Sequence, residues 1–230
     1  MANPKERLIE RTRRAQATGR TVVIMPAATA GELRDVESRC GPLPTQIQEL
    51  FAHTSGFSVN GVEIDFRGEY PFEFDELFAR SMPIAADGEG NFWVVDVSSS
   101  GEWGVVFFVA HDPPVVAVQA RDLAAFVDQV FDASDASAMK QDDALLLIWE
   151  RNPYVVSRAQ ALASSDLLLK AFAAEIPGTF AIADLRDAVP GQGFVWGSAG
   201  PNTDVRRAGE QLLFAIEQKK AGLFSRLFLR

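Results

Sequence analysis

The sequence has few of the residues on which redox, metal and nucleophilic chemistry depend. Its 230 residues include one cysteine, Cys40, and two histidines, His53 and His111. One cysteine excludes an internal disulfide and suits a reducing compartment. Two histidines exclude a His-rich metal site, and no G-x-S-x-G motif places a nucleophilic serine. These absences favour a protein that is not an enzyme, although no feature excludes an acid–base pair among its 31 acidic residues.

Long apolar runs are also absent. The longest, GVVFFVA at 104–110, has the length of a strand and is far shorter than the roughly 20 residues of a membrane span. The first 20 residues are rich in charge and lack the apolar core of a secretory signal. We therefore expect a cytoplasmic protein that does not enter a membrane, and no motif indicates a cofactor.

Basic residues are scarce in the middle of the chain. Residues 1–20 carry a net charge of +4, residues 21–150 carry −16 and residues 151–230 carry +3. An acidic middle repels phosphate and argues against nucleic-acid binding. It would attract a basic protein partner, or it serves only to keep the protein in solution.

Hydrophobic periodicity and turn residues predict the order of the elements. Thr29 and Glu32 form a capping-box pattern, and the helix that follows them ends at Gly41. The pair Asn60-Gly61 between β-forming residues predicts a hairpin. The other predicted elements are helices at 6–17, 44–56 and 121–131, and strands at 21–26, 82–87, 91–97, 104–110 and 115–120.

The small, polar segment 132–143 predicts a linker. We therefore expect a basic N-terminal helix at 1–20, a domain at 21–131, this linker, and an α-rich extension of unknown role at 144–230. The extension is predicted to be mainly helical. Its other elements are a strand at 179–185, a Gly-rich loop at 191–200 and a helix from Thr203-Asp204 to about Lys220.

The stretch Asp87-Gly88-Glu89-Gly90-Asn91 lies between two predicted strands and has two features of a ligand loop. Its acidic and amide residues alternate as in a calcium loop, but Phe92 and Ser98 stand where that loop needs glycine and glutamate. Its glycines suit a phosphate loop, but no helix follows them. We therefore predict a turn and no metal site.

A family resemblance supports this interpretation of the turn. The motifs that carry it are Gly41-Pro42-Leu43-Pro44, a helix ending in Ser55-Gly56-Phe57, and Pro83-Ile84-Ala85 leading through the turn to Asp96. The strand at 104–110, His111 and a closing helix with Phe126 follow them. Over about residues 30–131 this pattern resembles the SUKH superfamily of Smi/Knr-like proteins.

The resemblance implies an α+β fold, with helices packed on a mixed, mostly antiparallel sheet. It implies that Gly88, Gly90 and Asn91 shape a structural turn and that Trp93 enters the core. Bacterial members are largely inferred to be immunity proteins that bind and neutralise toxins, often nucleases or deaminases, and other members are scaffolds. The resemblance implies no catalytic residues.

The expected function is thus non-enzymatic binding of a basic protein, such as a toxin domain. A scaffold or regulatory protein without a toxin partner is the alternative, and an unrecognised hydrolase is a third class. Whether the acidic surface contacts a partner or only solubilises the protein stays open. The candidate partner-binding residues are Glu63, Asp65, Glu69, Glu73, Asp75, Glu76, Asp87 and Glu89.

The last ten residues, AGLFSRLFLR at 221–230, form an amphipathic pattern. Leu223, Phe224, Leu227 and Phe228 would share one face of a helix. So short a helix is not stable alone in water, so we expect the segment to dock on its own domain. A partner, or a second copy in a homodimer, is the open alternative. We expect deletion of residues 222–230 to lower solubility or stability.

Overall fold

The computed structural model describes residues 3–218 except residues 73, 75, 76, 79, 136 and 201. Its N-terminal helices are α1 (Pro4–Ala17), α2 (Ala30–Cys40) and α3 (Thr45–His53). The predicted capping box of α2 is confirmed, because Thr29 and Glu32 exchange side-chain and backbone hydrogen bonds. Cys40 is buried, and desolvation raises the pKa of its thiol to about 11, which suits a core residue better than a nucleophile.

A small antiparallel sheet follows these helices. It consists of β1 (Val22–Ile24), β2 (Gly56–Val59) and β3 (Val62–Asp65), in the order β1-β2-β3. Asn60 and Gly61 connect β2 to β3 with φ values of 55° and 77°, the left-handed values that a tight two-residue turn needs. The predicted hairpin is therefore confirmed.

The central sheet is also antiparallel and carries most of the core. Its strands, in spatial order, are β10 (Gly193–Val195), β7 (Val115–Ala120), β6 (Trp103–Ala110), β5 (Phe92–Val97) and β4 (Ser81–Ala86). Helix α4 (Leu123–Asp132) packs on one face through six buried residues. Buried aromatic and β-branched side chains line both faces of the sheet.

The basic N-terminal helix packs on the fold beside α4. Leu8 of α1 is fully buried. Arg7 and Arg11 lie 3.3 Å and 3.7 Å from the carboxylate of Asp128 in α4. Arg20, just beyond α1, donates a 2.8 Å hydrogen bond to the carbonyl oxygen of Phe131. Part of the positive charge of residues 1–20 is therefore neutralised by ion pairs with another element of the same chain.

The C-terminal part adds helices and a further antiparallel sheet, and the α+β class is confirmed. Its strands, in spatial order, are β11 (Val205–Arg207), β12 (Leu213–Glu217), β9 (Phe180–Asp184) and β8 (Val155–Ser157). They lie beside strand β10 of the central sheet, so the part contains more strand than its helical pattern predicted. Strand β9 confirms the strand predicted at 179–185. Its helices are α5 (Asp142–Arg151), α6 (Arg158–Leu162) and α7 (Leu167–Glu175).

The helix predicted from Thr203 is wrong, because this segment forms β11 and β12. Successive residues of β12 point into different cores: Leu213 and Ala215 into one, Phe214 and Ile216 into the other. A strand that is buried on both faces reads as a continuous apolar run, so its sequence has no period of two to separate it from a helix.

The segment predicted as a linker is packed against the N-terminal part. Met139, in a short 3₁₀ turn (Ser137–Met139), is 2% exposed and belongs to the main core. Strand β10, inside the predicted Gly-rich loop, pairs with β7. The domain boundaries themselves stay a prediction. The docking prediction for residues 221–230 lies outside the described residues.

Candidate functional site

The turn between β4 and β5 is organised by the side chain of Asp87. Its Oδ1 accepts hydrogen bonds from the backbone N–H groups of Glu89 at 2.8 Å and Asn91 at 3.2 Å. Its Oδ2 accepts a 2.6 Å bond from Nδ2 of Asn91. Gly88 and Gly90 have φ values of 80° and 89°, which few other residues adopt without strain. The carboxylate of Asp87 thus forms these hydrogen bonds within the loop itself.

Two further contacts connect this turn to the central sheet. Oδ1 of Asn91 accepts a 2.8 Å hydrogen bond from the backbone N–H of His111, at the end of β6. The Trp93 ring is 1% exposed and lies 4.9 Å, centroid to centroid, from the ring of Phe108. Asn91 and Trp93 therefore hold the turn in place.

A residue far away in sequence completes the turn. The Lys140 ammonium group lies 2.8 Å from Oδ2 of Asp87 and 2.7 Å from Oε2 of Glu89. Burial alone would raise the pKa of Asp87, but the hydrogen bonds from Lys140, Asn91 and the backbone outweigh it, so that pKa is lowered. The hydrogen bonds that Lys140 donates to Asp87, which has the larger effect, and to Glu89 raise the pKa of Lys140. We call this trio the Lys140 clamp.

Sequence reasoning missed Lys140, which it placed in a linker. The one available signal is compositional, because Lys140 is the single basic residue between Arg121 and Arg151. That signal does not indicate which residue Lys140 pairs with, since Lys140 and Glu89 are 51 positions apart in the sequence.

The five candidate partner-binding residues that the structure describes fall into two groups. Asp65 and Asp87 are engaged inside the molecule, since Asp65 accepts hydrogen bonds of 2.9 Å and 2.7 Å from the Arg67 guanidinium. Glu63, Glu69 and Glu89 are exposed. The structure does not bring all eight together as one described surface, because Glu73, Asp75 and Glu76 lie outside the described residues. Their role in binding stays a prediction.

A second feature beside the turn has no counterpart in the sequence analysis. A cleft of about 480 Å³ lies between the turn, the β6–β7 loop and the start of α5. We call it the α5 cleft. Its lining combines acidic side chains with apolar and other polar ones: Glu89, Asp112, Asp142 and Asp143 with Asn91, Phe108, Ala110, Pro113, Ser137, Lys140, Leu145 and Leu146.

The described part of the chain lacks two features that would indicate other functions. It contains no group of three or more His, Cys, Asp or Glu residues placed to hold a metal ion. No helix within it has the length and apolar character needed to cross a membrane.

Comparison with known proteins identifies the N-terminal part. Residues 27–129 match the model of the SMI1 / KNR4 family (SUKH-1). The match covers the turn, strands β4 to β7 of the central sheet and most of α4, whereas Lys140, α5 and strand β10 lie beyond it. Neither a curated protein nor a solved structure matches the chain.

Proposed function

Because residues 27–129 of this chain form a domain of the SMI1 / KNR4 family (SUKH-1), we propose that the protein is a cytoplasmic, non-enzymatic immunity protein. It binds a basic bacterial toxin domain, such as a nuclease or deaminase, and neutralises it. The family match is the observation that carries this proposal. The charge of the chain supports it, since residues 21–150 have a net charge of −16.

Exposed carboxylates are the groups that such a partner would meet first. Glu63 on β3 and Glu69 are both exposed, and Glu69 makes a long contact of 4.0 Å with Arg67. Exposed charges of one sign steer an oppositely charged partner and raise its association rate. Asp65 and Asp87 contribute differently, because their internal hydrogen bonds stabilise the elements that present the exposed glutamates.

The test uses a toxin domain from the neighbouring genes, where one is encoded beside this chain. Co-expression of the full chain is expected to protect cells from the toxin, and the purified proteins are expected to bind. Glu63→Lys with Glu69→Lys should weaken binding about tenfold, as expected for two exposed ion pairs. The matched control is Glu37→Lys with Glu175→Lys, which changes the charge equally at two other exposed glutamates.

Different results reject different parts of the proposal. If the wild-type chain neither binds nor protects, the immunity function is wrong. If both double variants weaken binding equally, the interaction responds to net charge and Glu63 and Glu69 are not contacts. Raised ionic strength should slow association of the wild-type pair, because salt screens exposed charges.

The second candidate function is a scaffold or regulatory protein without a toxin partner. It is favoured by the C-terminal part, which builds its own sheet beyond the family match and exposes Leu167 and Leu168 on α7 by 80% and 56%. Such side chains suit a second protein contact. A gene neighbourhood without a toxin, together with a partner whose binding is lost on Leu167→Asp, would favour this function.

A further inference from the structure

The α5 cleft combines uncompensated negative charge with apolar surface. Asp112, Asp142 and Asp143 are exposed, and no basic group among the described residues lies within ion-pair distance of them. Lys140 points at Asp87 and Glu89, so its charge is already balanced. The rim of the cleft is therefore acidic, while Pro113, Leu145 and Leu146 contribute apolar surface.

Helix α5 continues this apolar surface outside the cleft. Leu145 and Ile148 are buried, but Leu146 is 53% exposed and Trp149 is 47% exposed. Positions three apart in a helix are neighbours, so Leu146 and Trp149 form one exposed apolar stripe. Asp142, one turn before Leu146, begins the same stripe with a carboxylate. A segment that covers it must offer both apolar and basic side chains.

The chain itself contains a segment of this composition. Residues 219–230, KKAGLFSRLFLR, which we call the C-terminal segment, carry Lys219, Lys220, Arg226 and Arg230 and no acidic residue. They also carry five large apolar residues: Leu223, Phe224, Leu227, Phe228 and Leu229. Its charge and its apolar content complement the α5 cleft.

The described chain ends near enough for the segment to reach the cleft. Gln218 donates a backbone hydrogen bond to the carbonyl oxygen of Thr179 and a side-chain bond to Oγ of Ser198. Two residues before Ser198, Trp196 donates from Nε1 to the carbonyl oxygen of Ala110, which lines the cleft. Twelve residues span about 18 Å as a helix and about 40 Å when extended.

We propose that the C-terminal segment binds in the α5 cleft of its own chain. Its basic side chains pair with Asp112, Asp142 and Asp143, and its leucine and phenylalanine side chains cover Leu146 and Trp149. The cleft is thus an internal docking surface for a basic amphipathic segment, independent of whether the protein binds a toxin.

A disulfide-trapping experiment in the full chain tests this proposal. Leu146→Cys with Phe224→Cys is compared with Val23→Cys with Phe224→Cys. Val23 is a matched control because it is 54% exposed and does not line the cleft, while the native Cys40 is buried. Under mild oxidation the first pair is expected to close at least about tenfold faster than the control, as proximity raises effective concentration. Mass spectrometry and non-reducing gels identify the bond as intramolecular.

A charge exchange gives the second measurement. In the Leu146→Cys/Phe224→Cys chain, Arg226→Glu with Arg230→Glu should slow closure to the control rate. Addition of Asp142→Lys with Asp143→Lys should restore fast closure, because the segment then carries the acidic side chains and the cleft carries the basic ones. Circular dichroism checks that each variant keeps its helices. If a charge variant fails to fold, the Leu146→Cys/Phe224→Cys chain without charge substitutions still tests the proposal through its closure rate.

Three results would overturn the proposal. One is equal closure rates for the cleft pair and the Val23 pair. Another is a disulfide formed between two chains, which would assign the segment to a second copy. The third is a cleft pair that closes at the control rate in a chain whose C-terminal segment binds vesicles of phosphatidylcholine and phosphatidylserine. That result would assign the segment to a membrane surface.

Discussion

The ammonium group of Lys140 lies 2.8 Å from Oδ2 of Asp87, whose side chain is only 2% exposed. A residue beyond the SUKH-1 match thereby neutralises the carboxylate that organises the β4–β5 turn. The Lys140 clamp thus ties the start of the C-terminal part to the family domain, and it forms one side of the α5 cleft.

Removal of the cation should destabilise the protein. We predict that Lys140→Met lowers the free energy of unfolding by about 1–3 kcal/mol, because a buried carboxylate loses a charged hydrogen-bond donor. Lys170→Met removes the same charge at an exposed position of α7 and should change stability by less than about 0.5 kcal/mol. Urea denaturation measures both, and equal effects of the two variants would show that the clamp adds nothing.

The clamp should also make stability depend on pH at both extremes. Folding lowers the pKa of Asp87 from its ordinary 3.8, so its contribution is complete above pH 3.8 and is lost as the pH falls through the folded value. Folding raises the pKa of Lys140 from 10.5, so its contribution is complete below pH 10.5 and is lost as the pH rises through the folded value. The stability difference between wild type and Lys140→Met should therefore be largest and flat near neutral pH. A difference that stays constant down to pH 2 would contradict this assignment.

Two glycines with similar backbone angles should respond differently to alanine. Gly101, between β5 and β6, has a φ of 85°, and a Cβ there would lie 2.0 Å from the carbonyl oxygen of Pro42. Gly88 has a φ of 80° and no atom within 4 Å of such a Cβ. Gly88→Ala should cost about 1–2 kcal/mol of backbone strain, and Gly101→Ala about 1–3 kcal/mol more because of overpacking. Chemical denaturation of both variants measures the difference, and equal costs would contradict the close approach to Pro42.

Strand β10 should couple the C-terminal part to the central sheet. Phe194 is fully buried, and its ring lies 5.0 Å from that of Phe214. We predict that Phe194→Ala lowers the free energy of unfolding by about 3–5 kcal/mol in one cooperative transition, with faster amide exchange in both β7 and β9. Val189→Ala, at a 54% exposed position, is the control. Unchanged exchange in β7 would instead support two parts that unfold separately.

Local interactions made much of the N-terminal half predictable. The Thr29–Glu32 capping box involves residues three apart, and Asn60-Gly61 selects its turn through backbone angles. Likewise, Gly88 and Gly90 mark a turn without a ligand motif. The residues that argue against calcium and phosphate binding lie in the same stretch of about twelve residues. These features depend on neighbours in sequence, so the sequence alone determined them.

Features that depend on distant packing could not be predicted in the same way. Strand β12 is buried between two cores, so its apolar run is uninformative about helix or strand. Strand β10 exists because β7 offers it an edge. Lys140 is one of 22 basic residues, and only the folded chain selects Asp87 and Glu89 as its partners. Sequence by itself determined the turns and the helix caps, because these rest on short-range geometry, and its motifs predicted the resemblance that the family match over residues 27–129 supports. Tertiary structure alone decided the Lys140 clamp, the α5 cleft and the C-terminal sheet. The ion-pair partner of a charged group and the conformation of a long apolar run both depend on residues that are distant in sequence.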